Sequence, residues 1–495
     1  MKMKLRYNIA CGTKLHKQIG TWILLLAPLS PSLSAQTLNV KVGEITYAHP
    51  AAQAGKMLFR NGATLTVQGK EYTLADVSSI TVDNSQVDDN TVIVNYQGST
   101  AQVSVAGNLA QHLHVAATGA DVRIVADSVY TDEITYILAG TSPDGSFYMD
   151  GDGKTSITLD NLTLSSKKGG AITIDNGKKI NVQLIGSSAL SDAGAGSQKA
   201  CLYVNGHVDI AGSGTLAITG NCRHGYFSDE YTRIESGTVT VTGAKGDGFH
   251  VNEYFQMNGG KLSVVSQGDG IDVGVKKKGG TNNGQLILSG GEVLVSSTGD
   301  GSKALKADSA ITMTGGTVIA TKTGSAYFDP TANDIAGVST LKTDGNFAMT
   351  GGRLTLSAGG AGAKGINADQ GVVINDGELT VLVTGKLFEY NTLDTKPHAV
   401  KTEGNITVNG GKVFVATSSD GRSLSTDYSF LVNGGTLMAI GGKKCEPTGG
   451  TQGYKTYKSQ VIKAGSSVTY DGVSFSVPSS YSNAKAQVLV SKPGI

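Results

Sequence analysis

From Val239 onward the chain is written in short runs of alternating apolar and polar residues, and the runs follow one another in a fixed order. A glycine pair or a close relative punctuates them at Gly259-Gly260, Gly290-Gly291, Gly315-Gly316, Gly351-Gly352, Asp376-Gly377, Gly410-Gly411 and Gly434-Gly435. After each pair come apolar residues at every second position, such as Leu262 and Val264, Val293 and Val295, or Leu354 and Leu356. A period of two is the signature of a strand with one face buried. A second short apolar run precedes each pair, as in Phe255 to Met257, Leu286 to Leu288 and Ile311 to Met313. The third run is apolar-x-small-acid: Leu305-Lys306-Ala307-Asp308, Leu341-Lys342-Thr343-Asp344 and Ile366-Asn367-Ala368-Asp369, foreshadowed by Phe249-His250-Val251-Asn252 and Ile271-Asp272-Val273-Gly274.

The interval between glycine pairs is about 24 residues, stretched to 31–36 where a coil carries an insertion. Three strands of this length cannot bury an apolar face alone, so each coil must stack on its neighbours with equivalent residues about 4.8 Å apart. The pattern predicts an all-β chain, a right-handed parallel β-helix or three-walled solenoid over residues 136–453. Residues 36–135 hold β runs without the coil period, among them Thr64 to Val67 and Thr91 to Tyr96, and read as an N-terminal β module. Residues 454–495, with Val473 to Val477 and Gln487 to Val490, read as a C-terminal β cap that closes the end rung.

The N-terminal segment leads us to expect this solenoid outside the cytoplasm. Lys2, Lys4, Arg6, Lys14 and Lys17 precede the apolar run Trp22 to Leu29, and small residues follow near Ala35, so residues 1–35 read as a signal peptide. Cys11 lies before the apolar run, where a lipid-modification site is not expected. No later stretch reaches the roughly 20 apolar residues of a membrane-spanning helix. The expectation is an exported monomer, periplasmic, at the cell surface or extracellular. With 16% charged residues and a formal net charge of +1, nucleic acid is not an expected partner. Cys201 and Cys222 lie about one coil apart, which admits either a disulfide or a pair of stacked thiols.

Candidate chemistry gathers at one corner of the coil. The turns Gly246-Asp247-Gly248, Gly268-Asp269-Gly270 and Gly299-Asp300-Gly301 align their aspartates, and carboxylates at rung spacing repel one another. A hard cation such as Ca2+, which takes six to eight oxygen ligands, would relieve that repulsion, with Asp272 and Glu253 completing the donor set. Asp-Gly is also an ordinary turn dipeptide, so a plain turn is the competing reading. The acidic column Asp308, Asp344, Asp369, Glu403 and Asp427 has Lys306, Lys342 and Lys401 two residues earlier, and its charges read as mutually neutralising. Two insertions carry Tyr327 and Phe328, and Phe388 and Tyr390, which are expected on one side. Aromatic faces stack on sugar rings, so these four residues are the candidate glycan contacts, unless they pack their own loops.

The run Gly246-Asp-Gly-Phe-His-Val-Asn, through Phe255-Gln-Met-Asn-Gly-Gly, to Gly268-Asp-Gly-Ile-Asp resembles the carbohydrate-binding-domain family of secreted bacterial parallel β-helix proteins, related in architecture to pectate lyases. The resemblance covers about residues 130–445. It implies calcium-assisted binding of acidic, uronic-acid-containing or plant-type polysaccharide, with Asp247, Asp269 and Asp272 at the metal. The later coils depart from it, since Ala361-Gly362 carries no aspartate.

Two other classes compete with a non-catalytic binder. A lyase would need a basic residue beside the acidic corner, and a hydrolase would need paired carboxylates across a cleft. The basic candidates are Lys245, Arg223, His224 and His250, of which Arg223 and His224 read as turn residues and His250 as part of a solvated strand face. A structural adhesin or spacer is the third class.

Overall fold

The computed structural model describes residues 36–495 together with Ile23–Leu24, so the signal-peptide reading and Cys11 lie outside the described residues. Strand is the dominant structure of the described chain, which holds one short helix and one 3-10 turn. The described residues divide into two compact units, those up to Lys167 with Ala171–Leu190, and Lys168–Gly170 with Ser191–Ile495.

The first unit begins with antiparallel hairpins, Thr37–Val42 with Ile45–Pro50 and Thr91–Gln97 with Thr100–Ala106. Pairing then turns parallel. Ile134–Ser142 runs beside Thr91–Gln97 and beside Thr155–Ser165, which in turn pairs with Ile172–Ile185.

The second unit consists of three ladders of parallel strands, each built from one short strand per coil. The first ladder holds the strands after the glycine pairs. Its register aligns Val239, Leu262, Val293, Val318, Leu354, Leu379, Val413 and Leu437. All eight are buried, so the alternation seen along the sequence becomes an apolar column across coils. The second ladder includes Thr232–Ile234, Tyr254–Met257, Gln285–Leu288 and Ala310–Met313. The third runs through His224–Ser228, Phe249–Asn252, Ile271–Gly274, Lys303–Ala307, Ser339–Thr343, Lys364–Ala368, His398–Thr402 and Arg422–Thr426.

The glycine pairs sit at the corner between second and first ladders. The second glycine of each pair is left-handed, as in Gly260 at φ 71° and Gly316 at φ 77°. A Cβ on Gly260 would also run into the carbonyl oxygen of Gly237 in the coil below, so shape and close approach both select glycine. Asparagines before the pairs form a side-chain chain of their own: Asn409 Nδ2 donates to Asn375 Oδ1 and Asn433 Nδ2 to Asn409 Oδ1, both at 2.8 Å.

At the far end, Asn483–Ser491 pairs antiparallel with the last first-ladder strand, Thr436–Gly441, and with Lys455–Ile462. Met438 and Ile440 pack there with Ile462, Val477, Tyr481 and Val488. Cys222 is a free thiol with Sγ 3.5 Å from Gly196 O. The register sets Ala200 against His224 and Leu202 against Tyr226, which aligns Cys201 with Gly225 and leaves Cys222 in the turn beyond bridging position. Among the described residues no helix is long and apolar enough to cross a membrane.

Candidate functional site

The third ladder positions the site. In each of its strands the apolar members face inward, for example Phe249 and Val251, both fully buried, which turns the residue between them outward. One such outward residue per coil gives the row Phe227, His250, Asp272, Lys306, Lys342, Asn367 and Lys401. The turns entering these strands add Asp247 and Asp269 beside it, and the first residues of two of the strands add His224 and Lys303. They are stitched together by side chain to backbone bonds from coil to coil. Asp247 N donates to His224 Nδ1 at 3.0 Å, Asp269 N to Asp247 Oδ1 at 2.8 Å, and Lys303 N to Asp269 Oδ1 at 2.7 Å.

His250 is the hub of the cluster. Its Nδ1 lies 3.0 Å from Asp247 Oδ2 and 3.1 Å from Asp272 Oδ2, while its ring stacks on Phe227 at a centroid distance of 4.7 Å. Asp272 Oδ1 accepts in addition from Lys306 Nζ at 2.8 Å. Burial opposes a charge on His250, but its bonds to the two carboxylates outweigh that penalty and raise it to about 9. Burial likewise opposes ionisation of Asp247, and its contacts with the imidazoles of His224 and His250 overcome it, holding this carboxyl well below the ordinary range. Asp272 is lowered for the same reason, by His250 and Lys306 acting against burial.

Asp269 goes the other way. Burial and the neighbouring charges of Asp247 and Asp272 push it up to about 6. Beside it, burial lowers the ammonium of Lys303, against the pull of Asp269. The cluster therefore holds two strongly ionised carboxylates, a charged imidazole, and one carboxyl poised near neutrality.

Of the expected metal donors, Asp247, Asp269 and Asp272 come together here. Asp300 spends an oxygen on Ser325 N at 2.7 Å, and Glu253 lies with His207 and Glu230, apart from the aspartate corner. The two insertions form small hairpins, Tyr327–Asp329 with Asp334–Ala336 and Phe388–Tyr390 with Leu393–Thr395. Phe328 and Tyr390 stack on each other at 4.1 Å and 10°, and Phe388 is half-buried. Tyr327 and Tyr390 each keep 41% of their surface exposed. In the acidic column, Lys342 Nζ lies 2.7 Å from both Asp344 and Asp369, and Lys306 Nζ lies 3.7 Å from Asp308. His224, read as a turn residue, and His250, read as part of a solvated face, are instead partner of Asp247 and hub of the cluster; Lys303 and Lys306 join them. The signal was the offset between Phe249-His250 and Ile271-Asp272, which is one coil.

A family model described as "Carbohydrate-binding domain-containing protein" matches residues 118–386 and 339–449, a span that contains the whole cluster. The chain belongs to this family. No curated protein matches this carbohydrate-binding domain chain. Among solved structures, a polysaccharide lyase-like protein from C. thermocellum is 17% identical, with a TM-score of 0.40, the match covering 58% of this chain and 100% of that one.

A hard cation at this corner of the carbohydrate-binding domain would draw on Asp269, which burial and the charges of Asp247 and Asp272 raise, and on Asp247, whose oxygens already meet Asp269 N and His250 Nδ1. Asp272 is committed to His250 and Lys306.

Proposed function

We propose that this is an exported, non-catalytic polysaccharide-binding protein whose three ladders wrap into a right-handed parallel β-helix, and that it takes acidic or plant-type glycans with the help of calcium. The observation that carries the reading is the outward row of the third ladder, one polar or aromatic side chain per coil from Phe227 to Lys401. An extended polymer laid along the stack meets the half-buried His250, Lys306, Lys342, Asn367 and Lys401, with Phe227 and Asp272 buried beneath the row. His250, Lys306, Lys342 and Lys401 supply cations for uronate carboxylates, and the exposed faces of Tyr327 and Tyr390 offer stacking surfaces for sugar rings.

Asp247 and Asp269 would hold Ca2+. The ion would neutralise the corner and bridge it to an acidic sugar. Binding of the protein to a polysaccharide array, in calcium and then in chelator, tests the reading. Retention on uronic-acid glycans that disappears with chelator is expected; no retention in either condition overturns it in favour of a structural rod.

Asp269 and Lys303 favour a second reading. A carboxyl raised to about 6 next to an amine whose proton affinity is lowered is the kind of pair a lyase uses to abstract a proton. Incubation with polygalacturonate decides between the two: growth of absorbance from unsaturated ends would make the protein an enzyme.

A further inference from the structure

Away from the aspartate corner, His207, Glu230 and Glu253 recur at intervals of 23 residues, one coil apart, and so stack at one edge of the second unit. His207 Nε2 lies 3.6 Å from Glu230 Oε2 and 3.8 Å from Glu253 Oε2, and one donor atom from each residue falls within 4.8 Å of the other two. Glu253 is only 7% exposed. Its Oε1 accepts from Gly280 N at 2.9 Å, but Oε2, the oxygen that faces His207, is buried without a hydrogen-bond partner. A buried carboxylate oxygen left without a donor is costly, and such an orphan aimed at two other ligand atoms marks the place of a missing cation. Glu253 also holds a left-handed backbone, φ 72°, which only its surroundings can impose.

The donor set selects the ion. One imidazole nitrogen with two carboxylates suits a first-row divalent metal, whereas calcium prefers oxygen donors and more of them. With bonds of about 2.0–2.2 Å in a tetrahedron, neighbouring ligand atoms stand about 3.3–3.6 Å apart. The observed 3.6 and 3.8 Å need only a slight contraction. Lys276 Nζ is paired with the other oxygen of Glu230, so it supports that carboxylate from behind without taking the ligand atom.

We propose that His207, Glu230 and Glu253 are three ligands of a second metal site, separate from the aspartate corner, for a divalent transition ion of the Zn2+ type. The side chain of His207 is 34% exposed, so a fourth position stays open to water or to a sugar oxygen. The site would pin the 275–284 segment through Gly280 and Lys276, and it lies beside the stacked rings of Tyr231 and Tyr254, 4.7 Å apart.

The test is a Zn2+ titration by calorimetry on chelator-treated protein, with His207→Ala, Glu253→Gln and, as a surface control, Glu292→Gln as variants. The wild type is expected to bind Zn2+ with a stoichiometry that falls by one ion per chain in His207→Ala and in Glu253→Gln but not in Glu292→Gln. Melting curves in chelator establish that each variant is folded. An anomalous difference peak at the zinc edge between the three side chains in zinc-soaked wild-type crystals gives a check that needs no variant. Failure of the wild type to bind Zn2+, a stoichiometry untouched by His207→Ala, or absence of that peak would each overturn the proposal.

Discussion

The ring of His250 lies flat against that of Phe227 one coil away, the planes inclined by only 14°. The imidazole is thus apolar on one face and ionic at its edge, where Asp247 and Asp272 hold its proton. Those two carboxylates make the pH response of the fold readable from one side chain.

His250 is raised from 6.5 to about 9 in the folded chain, so its contribution to stability is fully present below about pH 6.5 and is lost as pH rises through 9. The loss is at most about 3 kcal/mol, less where solvent screens the pair. Urea denaturation at pH 6 and pH 9.5 should show the decline in the wild type and a much flatter profile in His250→Gln. Equal slopes in both proteins would contradict the assignment.

Asp269 has the opposite meaning. Its folded value, about 6, lies above the ordinary 3.8, so ionising it costs stability as pH rises between the two. Asp269→Asn should therefore be more stable than wild type at pH 7 in chelator, by up to about 3 kcal/mol. Added calcium should reverse the order, because only the aspartate gains from the ion. Thermal melts of both proteins, with and without calcium, give all four values needed.

Gly260→Ala meets both a left-handed backbone and the carbonyl of Gly237, and should destabilise by more than about 2 kcal/mol. Gly243→Ala, with no atom within 4 Å of the added carbon, should stay within about 1 kcal/mol of wild type. Chemical denaturation of the pair measures how far the glycine corner, as opposed to glycine in general, limits this fold.

The stack of Phe328 on Tyr390 ties the two insertions together. A double-mutant cycle with Phe328→Ala and Tyr390→Ala should return a coupling of about 0.5–1.5 kcal/mol. Glycan retention by Tyr327→Ala then shows separately whether the ring outside that stack contributes to binding.

The coil repeat was legible because glycine pairs and period-two apolar residues are dictated by backbone geometry: Gly260 has to be glycine and Leu262 has to be apolar. The assembly of the cluster was less so. Asp247, Asp269 and Asp272 could be aligned from their turns, but that His224 and His250 close around Asp247 depends on how a turn residue and a strand residue three positions apart converge, which the coil period does not encode. Glu253 was recognisable as a donor and assigned to the aspartate corner. Its position directly after the strand Phe249–Asn252, at the opposite end from Asp247, carries it to His207 instead. The even spacing of His207, Glu230 and Glu253 was present in the sequence, hidden because His207 sits inside the strand Ala200–Gly212 whereas Glu230 and Glu253 fall between strands.

The direction of the strand Asn483–Ser491 has a consequence for how large an object this chain can build. Every earlier rung of the first ladder receives a parallel neighbour, so a bare Thr436–Gly441 would present the template on which a coil of another copy could continue the stack. By running the other way, the last strand fills that template with a pattern no further coil can extend. It acts as a chain terminator, and deleting it would convert a molecule of fixed length into a seed for open-ended fibres.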